Sequence, residues 1–130
     1  MRDYQPQKGK YVLPNALYHQ MIFQIRDYER LKEEYESIPT ESKSTTDYDG
    51  MPHGSASFDG MDKKIIRMER LLFVINIIEE ERDNIPDEYR KGVWEHIKKQ
   101  KAFPKDADRS TYTRYQSRFI YNVALRQGLI

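Results

Sequence analysis

From Arg109 to Tyr121 the chain reads RSTYTRYQSRFIY, mixing guanidinium, hydroxyl and phenol groups at close spacing. These are the groups that contact nucleic acid. An arginine forks onto guanine edges or phosphates, and serine and tyrosine hydroxyls donate to phosphate oxygens. Winding the segment as a helix at roughly 100° per residue separates two faces. Tyr112, Tyr115, Phe119 and Val123 fall on one side. Ser110, Arg114, Ser117, Arg118 and Tyr121 fall opposite, and Arg109 and Thr113 complete the candidate contact set. Lys98, Lys99 and Lys101 flank it as candidate sequence-independent phosphate contacts. An ordinary solvated helix face is the competing reading, because surface helices carry arginine and serine routinely.

Other chemistry has weaker support. His19, His53 and His96 are the only histidines and are far apart in sequence, with no helical pairing that would converge on a metal. The segment DYDGMPHGSASFDGMD carries Asp47, Asp49, Asp59 and Asp62 among glycines. It lacks both the calcium-loop register with its closing glutamate and a phosphate-loop Gly-Lys-Ser/Thr. His53 and Ser55 near Asp49 are close in sequence, which is not the geometry of a nucleophilic triad. With no cysteine, thiolate nucleophiles, disulfides and Cys-type zinc sites are excluded. The expectation is a protein that is not an enzyme and uses no cofactor.

The elements that must position the contact set can be read from pattern. At 130 residues there is room for one domain, or one core with a small appended module. The mean hydropathy of −0.92 predicts a soluble chain, and no segment is long and apolar enough for a membrane span. The N-terminus lacks the apolar stretch of a secretory signal, and the absence of cysteine fits a cytoplasmic protein. Net charge is +1 but unevenly placed: from Pro86 onward ten Lys/Arg stand against five Asp/Glu. Such asymmetry is expected of a nucleic-acid-contacting module beside a protein-contacting one.

Residues 1–12 read as a loosely held start, and 13–83 as an N-terminal helical portion. Leu17, Met21, Ile25, Tyr28, Leu31, Tyr35 and Ile38 recur in steps of three and four, predicting one helix ended by Pro39. Residues 39–60, rich in Gly, Pro, Ser and Thr, predict a long loop. A second helix is expected over 61–83, apolar nearly all round at LLFVINII. It must be covered on more than one side; the first helix would supply one cover and a homodimer could supply another, although some single domains of this size bury such a helix alone. Residues 84–130 then read as two helices and a short connector, with Asp108 or Ser110 as N-cap and Gly128 near the end. The acidic run Glu79–Glu81 reads as a solvated helix end, or as a surface for a basic partner. The fold class is all-α, an N-terminal helical pair followed by a C-terminal helix-turn-helix.

The segments LPNALYHQMIFQIRDYERLKEEYESI, IPDEYRKGVWEHI and FPKDADRSTYTRYQSRFIYNVALRQG, with a DGMPHGS loop between the first two, resemble the RinA-like phage transcriptional regulators. These are related in style to ArpU-type proteins, and their C-terminal part is similar to region 4 of the σ⁷⁰ family. The resemblance spans roughly residues 11–130 in three blocks in the same order. In the loop, Ala56 stands where that group is expected to carry a glycine. The resemblance implies a phage-encoded activator of late packaging and structural genes that binds double-stranded promoter DNA and engages host RNA polymerase. Thr111–Tyr121 would then be the recognition helix, with Arg114 and Arg118 as its readers. The alternatives are a phage packaging protein, such as a small terminase subunit, and a helical interaction module that binds no DNA.

Overall fold

A computed structural model describes residues 4–38 and 54–130, with side chains of the second stretch from residue 61. Among them are five helices and no strand: α1 Asn15–Arg26, α2 Tyr28–Ser37, α3 Gly54–Asp83, α4 Asp87–Lys99 and α5 Arg109–Arg126. The protein is all-α. No described helix is long and apolar enough to cross a membrane.

One core joins α1, the C-terminal half of α3, α4 and α5. Its largest fully buried side chains include Tyr18, Ile22, Ile25, Ile78, Ile97, Tyr112, Phe119 and Ile120. Burying an aliphatic or aromatic side chain of this size stabilises by about 1.5–3 kcal/mol, and such residues come from all four helices. The turn at 84–86 therefore lies within a single core, with Ile85 buried in it.

The helix expected to run unbroken from Leu17 to Ile38 is broken at Asp27, which has φ −87° and ψ 2°. The Asp27 N–H is shared between the Phe23 and Gln24 carbonyls at 3.0 and 3.1 Å. A charged side chain from another helix sits at the joint. Lys98 Nζ donates to the Ile25 carbonyl at 3.0 Å and the Arg26 carbonyl at 2.7 Å, and pairs with Glu29. A side chain inserted at the carbonyl ladder is one of the few causes of a sharp helix break. Periodicity cannot report it, because the apolar spacing continues across the break.

The second helix begins at Gly54, inside the segment expected to be loop; residues 39–53 lie outside the described residues. At 30 residues it is about 45 Å long. Among its described side chains, from residue 61 on, the buried apolar ones are Ile75, Ile77 and Ile78. Further up, α2 packs along it and half-buries Met68, Leu71 and Val74. Ile65, Ile66 and Phe73 stay about half exposed.

The expected solvated acidic run is instead engaged within the fold. Glu79 accepts from the Tyr28 hydroxyl and pairs with Lys32 at 3.4 Å. Arg126 reaches Glu80 at 2.6 Å and Glu81 at 3.2 Å. Arg90 donates to the carbonyls of Arg82, Asp83 and Ile85 at the end of α3. A cation at a helix C-terminus meets unpaired carbonyls and the negative end of the dipole. α4 thus places one cation on the end of α3 and another on the end of α1.

Candidate nucleic-acid interface

α5 is held along its whole length. Tyr112, Gln116, Phe119, Ile120, Val123 and Ala124 form its buried stripe. Asp108 occupies the N-cap position without a side-chain capping bond. Gly128, at φ +78°, closes the other end, with the Leu129 N–H on the Ala124 carbonyl at 3.0 Å. This left-handed cap needs glycine because a Cβ is disfavoured at positive φ.

The connector from α4 is equally fixed. Gln100 turns the chain at φ 57°, and Phe103 then stacks on His96 at 4.0 Å and on Tyr112 at 5.1 Å. Tyr112 donates to Asp106 Oδ1 at 2.5 Å. Burial first, and then that hydrogen bond, push the phenol up to about 12. Gly92 of α4 permits the close approach: a Cβ there would lie 2.6 Å from Tyr112 Cε1 and 2.8 Å from Pro104 Cδ.

Five of the ten candidate contacts come together on one flank of α5. Arg109, Ser110, Thr113, Arg114 and Ser117 line one wall of a groove of about 680 Å³. Neither Arg109 nor Arg114 forms a hydrogen bond or ion pair with the described residues; Arg114 lies over the Tyr115 ring at 5.2 Å. Tyr115 is stacked on Tyr89 at 5.1 Å, giving that guanidinium a fixed aromatic floor.

The remaining candidates divide. Arg118 also lies over Tyr115, at 5.1 Å, but donates to the Asn84 carbonyl at 2.9 Å and so ties α5 to the end of α3. Tyr121 meets the edge of Tyr11 at 5.5 Å. Lys99 and Lys101 are exposed but do not line the groove, and Lys101 is 3.9 Å from Glu95. Lys98 is turned inward, its side chain 10% exposed. Of the ten basic residues after Pro86, four (Arg90, Lys98, Arg118 and Arg126) hold helix ends or acidic residues within the fold.

The opposite wall of the groove comes from residues that sequence reasoning left out: Pro6, Lys8, Gly9, Lys10 and Tyr11. The start of the chain, read above as loosely held, is pinned by a buried side chain. Gln5 Oε1 accepts from the Leu13 N–H at 2.7 Å, and its amide donates to the Leu13 carbonyl at 2.9 Å. The signal available in the sequence was QKGKY, two lysines around a glycine, which a composition-based reading takes for a polar tail.

Among the described residues no group of three His, Asp or Glu is placed to hold a metal ion. Asp47, Asp49 and His53, and the side chains of Ser55 and Asp59, lie outside the described residues. Comparison with family models, with curated proteins and with solved structures finds no match to this chain.

Proposed function

We propose that this chain is a sequence-specific, duplex-DNA-binding transcriptional activator of phage late genes, working in the bacterial cytoplasm. In this reading α4 and α5 act as a helix-turn-helix of the σ region 4 kind, with α5 in the major groove. The supporting observation is the split of α5. Its buried stripe fixes the helix, while Arg109, Ser110, Thr113, Arg114 and Ser117 line one groove along its flank. B-form major grooves admit a helix of this diameter. The activator role rests on the resemblance to RinA-like regulators. A contact with host RNA polymerase would use a surface other than Glu79–Glu81, which is engaged internally. A second copy would pack on the exposed apolar positions of α3, around Ile66 and Phe73, and set two recognition helices on one site.

The test is binding to late-promoter fragments, wild type against Arg109→Ala plus Arg114→Ala. Loss of a base-contacting arginine removes about 1–3 kcal/mol of discrimination, so the variant should bind weakly and rank promoter and scrambled DNA alike. Unchanged affinity and preference would refute α5 as the reader. A footprint with no activation in a promoter-reporter assay, together with ring assemblies in solution, would instead favour a packaging role.

A further inference from the structure

We infer that the N-terminal loop is a second DNA-contacting element, and that the groove between it and α5 seats the sugar-phosphate backbone of duplex DNA. This deepens the DNA-binding reading and rests on it. The loop is built for presentation. Gln5 and Leu13 close its base through two hydrogen bonds, and the Tyr18 hydroxyl donates to the Tyr4 carbonyl at 3.3 Å. Tyr11 leans on Tyr121 of α5. At the tip Gly9 adopts φ +89°, a conformation other residues rarely hold, and Lys8 and Lys10 flank it, both exposed.

The lining of the groove matches a phosphodiester strand. Lys8 and Lys10 line it from the loop, across from Arg109 and Arg114 of α5, which in the reading above pass the strand to reach base edges, and no carboxylate lines it. Between them lie the hydroxyls of Ser110, Thr113 and Ser117, which donate to phosphate oxygens. Size decides how the two walls are used. A major groove about 12 Å wide takes one helix of about 10–12 Å, leaving no room for the loop beside it. With α5 inserted, the loop must stand outside that groove, and a backbone strand runs between the two. The lysines then supply sequence-independent contacts, the role that Lys98 cannot fill from its inward position.

The experiment is salt-dependent binding to a random-sequence duplex between about 50 and about 200 mM salt, a window in which phosphate contacts are counted by slope. Lys8→Ala plus Lys10→Ala should lower the slope of log K against log salt by about 1.8, with affinity falling on the order of 50-fold at about 0.1 M salt. Gln5→Leu keeps both lysines but opens the base of the loop, and should give an intermediate loss. Trp94 fluorescence and the unfolding midpoint report whether each variant is folded. A wild-type slope in the double-lysine variant, with wild-type protein binding normally, overturns the loop assignment and leaves α5 as reader. Failure of the wild type to bind any duplex overturns both. A loss confined to one base pair of a preferred site overturns the backbone assignment, and displacement of the duplex by polyglutamate at equal charge assigns the groove to an acidic polypeptide instead.

Discussion

The Lys98 ammonium lies 2.7 Å from the main-chain oxygen of Arg26, on the joint where α1 gives way to α2. It also donates to Ile25 and pairs with Glu29, and Trp94 of its own helix places an aromatic face 5.6 Å away. Lys98→Met keeps the stem and removes the donors. Hydrogen bonds from a charged group contribute about 1.5–3 kcal/mol, so stability should fall by about 2 kcal/mol. DNA binding separates the two possible roles of this lysine. A phosphate-contacting lysine would take about 0.9 from the salt slope on removal, whereas the K98M slope should equal wild type. Urea denaturation and a salt titration on the same preparation check both.

Gly92 faces a second close contact, between α4 and the connector. Substitution by alanine favours helix formation by about 0.5–1 kcal/mol in a neutral setting. Here the added Cβ meets Tyr112 Cε1 at 2.6 Å and Pro104 Cδ at 2.8 Å, neither of them the end of a flexible chain. Overpacking of this kind costs about 1–3 kcal/mol, so Gly92→Ala should lower the unfolding free energy despite the better propensity. Because Tyr112 opens α5, the DNA affinity proposed for that helix should fall with it. A variant as stable as wild type would mean that the connector yields.

Much of this was legible in the sequence, and the rest was hidden for identifiable reasons. The 3.6-residue period of α5 gives part of its buried stripe: Tyr112, Phe119 and Val123 are buried as the winding expects, Tyr115 only partly, and Gln116, Ile120 and Ala124 extend the stripe beyond it. Arg118, Arg90, Lys98 and Arg126 could not be sorted that way. A cation on a loop-facing position looks the same in sequence whether it meets solvent or the carbonyl end of another helix. That depends on which helix lies across from it, as Lys98 shows by reaching residues more than seventy positions away. The basic excess after Pro86 is therefore partly internal, and the groove gains its balance of charge from Lys8 and Lys10. The N-terminal loop escaped notice because one buried amide, Gln5, holds it, and a single polar residue has no periodicity.

Alkali should weaken the connector through Tyr112. Tyr112 is held neutral by burial and by its bond to Asp106, with the phenol pushed up to about 12. An unfolded tyrosine ionises near 10. Its folded value is raised, so the stability it contributes is complete below pH about 10 and is lost as pH climbs toward about 12. Tyr112→Phe should flatten that part of the curve, because phenylalanine has no proton to lose. Urea midpoints across the range, with ultraviolet titration of the phenolates, provide the check; an identical pH dependence in Y112F would place the alkaline transition elsewhere.

Arg126 offers a comparison of two ion pairs made by one guanidinium. It meets Glu80 at 2.6 Å and Glu81 at 3.2 Å, yet the side chains are 59% and 8% exposed. Distance alone ranks Glu80 first. Solvent reverses the order, because an exposed pair is screened and contributes about 0.2–1 kcal/mol. Glu81 cannot recover water when its partner is removed, and stranding a buried carboxylate is the more expensive event. Double-mutant cycles should therefore give a coupling of about 0.5 kcal/mol or less for Arg126 with Glu80, and about 1–2 kcal/mol with Glu81. The coupling to Glu81 should persist at high salt while the coupling to Glu80 fades. Equal couplings, or a stronger one at Glu80, would mean that Glu81 reaches solvent and that the end of α5 is not anchored on α3 through this pair.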